Sequence, residues 1–258
     1  MPGQTKERRV FPVEMLYMRT TVLLFILIAT SSALAFVTLY YIPLYFQFTR
    51  GDSALRSAVR LLPVIFTLVF GSVAGGILIT KIEYYSPFYV FGTALGLIGS
   101  ALLYTSSPET TAARIYGYTI LIGLGAGMYS QAGFAVAQAK VPKSMVGQAI
   151  GFLTTGQLVG AVISLSIGGT VLINTATSGL TQLLPDTPVE TIRGAIAGTA
   201  GSFFQTLDEV TRAAALDIIV NSINKVYILT ITAGAVGFVA SVLLKHERIS
   251  VQGGIPAA

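Results

Sequence analysis

The side chains with chemistry to offer in this sequence are few, and those inside its long apolar runs carry no charge. Tyr40, Tyr41, Tyr45 and Gln47 fall together, Gln131 stands apart, and Thr154 and Gln157 are separated by about one helical turn. Phenols, hydroxyls and amides of this kind donate and accept hydrogen bonds, but they do not exchange protons near neutral pH. They suit the recognition of an apolar or amphipathic organic molecule, in which a few placed polar groups fix orientation within an apolar lining. Each tyrosine could equally belong to an interfacial belt, and for Tyr45 and Gln47, near a span boundary, that use is the stronger expectation.

What is missing narrows the chemistry further. There is no cysteine and a single histidine, His246, so thiolate or multi-histidine metal sites and histidine-dependent membrane enzymes are not expected. No catalytic residue, no metal and no cofactor is expected. Carrying a proton through a bilayer needs an ionisable group at depth, and none lies in the span cores. Arg56, Arg60 and Arg114 stand at span entrances, where they can reach headgroups or pair with Asp52 or Glu109.

Hydropathy supplies the elements that must position these groups. The chain is 53% apolar and only 10% charged, against roughly 25% charged in soluble domains. A bilayer core about 30 Å thick needs about 20 helical residues to cross it. Stretches free of Asp, Glu, Lys and Arg run from Thr20 to Thr49, Leu61 to Thr80, Tyr84 to Pro108, Ile115 to Ala139, Ser144 to Pro185 and Val226 to Leu244. Trimmed at their ends, they predict six spans at 20–46, 58–80, 86–106, 114–138, 145–173 and 225–244. These form a transmembrane domain over 20–244, between a segment 1–19 and a tail 245–258. The fold class is an all-α membrane protein whose first partner is the lipid bilayer. The net charge of +5 sits between spans, as membrane anchors rather than as a nucleic-acid surface.

With both termini placed in the cytoplasm, nine of the sixteen basic residues fall on that side, a slight bias in the favoured sense. The basic start followed by Ala33-Leu34-Ala35 has the outline of a signal peptide, but the apolar run continues through Phe46, which suits a span. Residues 174–224 are expected to form an extramembrane loop. Within its end, Val210, Ala213, Leu216, Val220, Ile223 and Tyr227 recur at helical spacing, which predicts an interfacial helix leading into the last span. Pro43 and Pro63 lie near span ends, where a missing backbone donor costs least.

Glycines spaced by four punctuate the spans: Gly71 and Gly75, Gly92 and Gly96, Gly123 and Gly127, Gly147 and Gly151, Gly156 and Gly160. Such spacing lets helix backbones approach closely in lipid. The fifth span is richest, with Gly151, Gly156, Gly160, Gly168 and Gly169. It is expected to pack on the second span and to act as a hinge or seal. Gly75-Gly76 in the second span and Gly168-Gly169 in the fifth hint at two sets of three.

Longer strings then matter: "YYIPLYFQ" at 40–47, "GDSALRSAVRLLP" at 51–63, "GGILITKIEYYSPF" at 75–88, "GLGAGMYSQAGFAVAQAKVP" at 123–142 and "GQAIGFLTTGQLVGAVISLSIGGTVLIN" at 147–174. In order and spacing they resemble the carboxy-terminal six spans of fungal multidrug efflux transporters, in the fourteen-span drug:proton antiporter branch of the major facilitator superfamily. The resemblance covers residues 11–248. It implies half of a major facilitator fold, six helices as an inverted 3+3 repeat, working by alternating access on a small-molecule substrate. It also implies a central cavity lined by the first, second, fourth and fifth spans, which carry Tyr40, Tyr41, Gln131, Thr154 and Gln157. The fifth-span glycines loosely resemble the antiporter motif of the superfamily's first half. Plasma membrane is the location it implies. Glu83 departs from a glycine common in that turn.

No second set of six spans is expected before Met1, so the chain is read as one half, completed by a second six-span half or by a homodimer, with any proton-coupling residues in the other half. A transport-inactive fragment, or a structural partner of another membrane subunit, is the competing expectation. A water channel would need paired Asn-Pro-Ala loops, and Asn174, Asn221 and Asn224 are followed by Thr, Ser and Lys.

Overall fold

A computed structural model describes residues 13–82, 85–198 and 203–244. The turn at Glu83, the tail 245–258 and most of the segment 1–19 lie outside the described residues. Eight α-helices and no strand are found among the described residues: α1 (Arg19–Arg50), α2 (Ala54–Val59), α3 (Leu62–Ile82), α4 (Ser86–Tyr104), α5 (Ala112–Lys140), α6 (Val146–Leu183), α7 (Val189–Ile196) and α8 (Glu209–Val242). Six of them, all but α2 and α7, are long and apolar enough to cross a membrane.

Three helices overrun the spans outlined from hydropathy. Pro43 lies inside α1, which continues to Arg50 and ends only at Gly51, whose left-handed φ of 61° glycine adopts without steric cost. Residues 174–224 do not form a loop throughout. Helix α6 runs on to Leu183, and α8 is continuous from Glu209, so the expected interfacial helix and the last span are one rod. Its start is fixed by Asp208, whose carboxylate accepts from the Thr211 N–H at 3.1 Å. With no proline before Val242, nothing divides it. Val210, at the start of the anticipated stripe, is 80% exposed, and close packing begins with Ala215 and Ile219.

The packing pairs the two sets of three spans by exchange. Helices α1, α3 and α4 form one set and α5, α6 and α8 the other. The second member of each set lies on the first member of the other, α3 on α5 and α6 on α1. The third members do likewise, α4 against α5 and α8 against α1, while the two first members touch each other and the two third members touch each other. Helix α1 runs towards the end that carries residues 51–61 and α5 runs away from it, so the sets are inverted copies. This is half of a major facilitator fold.

One apolar cluster sits at the end carrying the connections 51–61, 105–111 and 184–198, the loop end, and includes Tyr41, Tyr45, Phe46, Ile115, Ile219 and Tyr227. A second occupies the opposite end, around Leu27, Tyr89, Tyr129 and Phe152. Between them glycines bring backbones into contact. A Cβ on Gly71 would stand 2.8 Å from the Leu124 carbonyl oxygen, and one on Gly75 2.5 Å from that of Met128, which locks α3 to α5. On the other side of α5, a Cβ on Gly125 would meet the Gly92 oxygen at 2.5 Å and the Gly96 nitrogen at 2.7 Å on α4. In lipid, where burying apolar surface gains little, such close approach is what holds helices together.

Candidate functional site: a cleft among four helices

Four of the long helices converge on a cleft of about 190 Å³. Helix α1 contributes Ser31, Ser32 and Phe36, α3 contributes Leu68, α5 contributes Ala126 and Ser130, and α6 contributes Gln157. These are the first, second, fourth and fifth spans. No charged residue lines the cleft. Its polar groups are three serine hydroxyls and one amide, set in an apolar wall.

The hydroxyls are positioned by α1 itself. Ser31 and Ser32 are buried at the middle of the helix, and the Ser31 hydroxyl donates to the Ala126 carbonyl of α5 at 3.0 Å. That bond ties the floor of the cleft across two helices. Gln157 reaches the cleft because α6 is held close to α1: Gly160 abuts the Ala29 backbone, with a Cβ 2.8 Å from the Ala29 carbonyl carbon, and Gly156 abuts the Phe25 ring.

The residues nominated by sequence divide. Gln157 lies on the cleft. Thr154, one turn earlier on α6, is exposed, and its hydroxyl donates back to the Ile150 carbonyl at 2.9 Å. Tyr40 is 59% exposed, one turn along α1 from Phe36. Tyr41 is fully buried in one apolar cluster with Val226, where α1, α6 and α8 pack, and a Cβ on Gly168 would stand 2.9 Å from its hydroxyl. Gln131 is exposed on an adjoining face of α5, and its neighbour Ser130 lines the cleft in its place. Ser31, Ser32 and Ser130 were not singled out from sequence. The signal available was a pair of adjacent serines at the centre of an uncharged run.

The fifth-span glycines also divide. Gly156, Gly160 and Gly168 seat α1, and Gly168 seats α8 as well, whereas nothing lies within 4 Å of a Cβ at Gly151 or Gly169. The expected seat on the second span is therefore corrected: α6 packs chiefly on α1 and α8 and more lightly on α5, and α3 is held by α5. The reason is the exchange of sets, which gives the second member of each set the first member of the other as its neighbour.

At the loop end, the strand of sequence between α1 and α3 folds back on itself. The Asp52 carboxylate is buried and takes the Arg60 guanidinium, with Arg60 Nε as the nearest donor and Nη2 at 3.4 Å from Oδ1. Arg56 Nε stands 3.2 Å from the same carboxylate. Arg60 also donates to the Tyr116 hydroxyl of α5 at 3.0 Å and lies over the Phe46 ring, 4.4 Å from its centre. Tyr45 donates to the Ser107 carbonyl at 2.6 Å, and Gln47 donates to the Ser57 hydroxyl at 3.0 Å. These groups close the loop end and do not reach the cleft.

The profile of the Major Facilitator Superfamily matches residues 2–165. Among curated relatives, the MFS-type transporter pgmG of Aspergillus terreus is 42% identical over 249 residues, covering 96% of this chain and 44% of its own length. The efflux pump alnA of Emericella nidulans is 44% identical over 255 residues, covering 98% of this chain and 46% of its own. The MFS-type transporter patC of Penicillium expansum is 40% identical, covering 95% and 45%. The chain thus spans less than half the length of these relatives.

Proposed function

The chain belongs to the major facilitator superfamily, and from that premise we propose that it supplies one six-helix half of an efflux transporter for uncharged or amphipathic organic molecules. The observation that carries this reading is the cleft: four helices meet there, no charge lines it, and Gln157 and the serines offer hydrogen bonds within an apolar wall. The names of the relatives, transporters and efflux pumps, support the same direction.

Flanking the cleft, α3 and α6 leave broad apolar faces open, with Phe66 67% and Phe70 66% exposed on α3, and Leu158 and Val162 exposed on α6. A second six-helix half laid over these faces encloses the cleft, and rocking of the two halves exposes it alternately to either side. Proton coupling is assigned to that other half, because the cleft here holds no ionisable group. Tyr40 and Thr154 are placed at its rim, and Gly156 and Gly160 at the pivot of α6 on α1. Both termini are placed in the cytoplasm and the complex in the plasma membrane.

The test is export of fluorescent apolar drugs from efflux-deficient yeast. The chain is expressed alone and together with the amino-terminal portion of the alnA relative. Export is expected only from the pair. Gln157→Leu, which removes the one amide of the cleft, is expected to raise the half-saturating drug concentration by about threefold to tenfold for substrates bearing hydrogen-bonding groups. Equal export by the chain alone, or a Gln157→Leu pair indistinguishable from the parent, would overturn the assignment.

A further inference from the structure

The helices that take no part in the cleft carry a second site. Helix α4 has 19 residues, about 28 Å of rise, which all but matches the hydrocarbon thickness of about 30 Å. Its last residue, Tyr104, therefore marks the membrane boundary at the loop end. Tyr104 is 44% exposed, as an aromatic side chain at headgroup level is.

Beside it, Tyr104, Ser106, Asn221, Asn224 and Lys225 line a groove of about 460 Å³ between the end of α4 and α8. On the far side of Lys225 a second groove runs along α6, past Asn174 and Ser178. Three rods thus change from apolar to polar at one level, and Lys225 stands in the middle of it. Its side chain is exposed and makes no ion pair among the described residues.

Two of the residues that line the first groove each carry a buried polar atom without a partner. Asn224 is 7% exposed, and its Nδ2 donates to the Ser106 carbonyl at 2.6 Å. A carbonyl accepts only from the nitrogen end of an amide, so this bond fixes which end is which. The Oδ1 is then left with no donor, and so is the hydroxyl of Ser106, itself 6% exposed. Unpaired buried groups of this kind are costly, and a ligand at the groove relieves them.

We propose that this groove binds the headgroup of a phospholipid whose alcohol carries a hydrogen-bond donor. Lys225 faces the phosphate, the Ser106 hydroxyl donates to a phosphate oxygen, and Asn224 Oδ1 accepts from the ammonium of ethanolamine or a hydroxyl of glycerol. Choline offers no such donor. A lipid fits better than a free anion because the groove lies at the membrane boundary, next to where headgroups are held by the bilayer itself.

Native mass spectrometry of the purified, delipidated chain tests this with added phosphatidylethanolamine, phosphatidylglycerol and phosphatidylcholine. The first two are expected to be retained about tenfold more tightly than the third. Lys225→Gln, at an exposed position, is expected to lower retention of all three about tenfold, while Lys143→Gln at the opposite end leaves it unchanged. Equal retention of the three lipids, equal behaviour of the two variants, or displacement of lipid by millimolar inorganic phosphate would each overturn the proposal.

Discussion

Alanine at Gly125 is expected to lower the melting temperature of the detergent-solubilised protein by about 5 °C, while alanine at Gly151 leaves it unchanged or raises it. The two substitutions add the same methyl to a glycine inside a long helix, and both gain about 1 kcal/mol of intrinsic helix propensity. At Gly151 that gain is unopposed, because nothing lies within 4 Å of the new atom. At Gly125 the methyl meets the Gly92 oxygen at 2.5 Å and the Gly96 nitrogen at 2.7 Å. Those neighbours are backbone atoms and cannot turn aside, so α4 and α5 must separate, and the lost packing costs about 1–3 kcal/mol beyond the gain. Leucine at the same site extends the separation along the whole seam and is expected to leave little monodisperse protein. Gly160→Ala, against the Ala29 backbone, should behave as Gly125→Ala does. Thermal melts followed by size-exclusion chromatography decide the matter: equal shifts at Gly125 and Gly151 would mean that the α4 and α5 backbones are not in contact.

That contrast also shows what a sequence can say about such a bundle. The six long helices were legible because the absence of charge over twenty residues is a statement about solvent, and a bilayer is the solvent that tolerates it. Where each helix stops was not legible, since leaving the membrane changes the side chains a helix can carry and not its backbone. Helices α6 and α8 therefore run on through residues that hydropathy assigns to a loop. Glycine spacing marked faces that could approach closely, but a bare face does not name its neighbour. Assigning the fifth span to the second failed for that reason, and the exchange of sets that gives it to the first is visible only in three dimensions.

The cleft was legible to the level of helices and less so to residues. Tyr40 and Tyr41 are adjacent in sequence and about 100° apart around α1, which is enough to place one on the surface and the other in the core. Gln131 and Ser130 differ by the same angle. A large polar side chain draws notice in an apolar run, whereas Ser31 and Ser32 do not, because a serine can satisfy its hydroxyl on a nearby carbonyl and weighs little in hydropathy. The small hydroxyls are nevertheless what the geometry brings together.

Removing the Asp52 carboxylate is expected to destabilise the chain by about 3 kcal/mol, or about 10 °C in melting temperature. The carboxylate side chain is 1% exposed, and Arg60, its main partner, is 18% exposed. Asp52→Ala leaves the Arg60 guanidinium held by the Tyr116 hydroxyl and the Phe46 ring with its counter-charge gone. Partial rehydration of the guanidinium through its exposed edge keeps the cost at the lower end of the range for broken buried pairs. Arg60→Ala removes the cation, the hydrogen bond to α5 and the contact with α1 together, so its own cost is similar. The double variant should then cost clearly less than the two single costs added, because the second change removes a group already left unpaired. Hydrogen exchange should report the same coupling locally, with faster exchange at residues 51–61 in either single variant. The cluster joins the end of α1, the start of α3 and the start of α5, so its loss frees the three helices where the loop end is closed. Strictly additive costs would mean that Asp52 and Arg60 do not form a pair, and that the loop end is held by its apolar cluster alone.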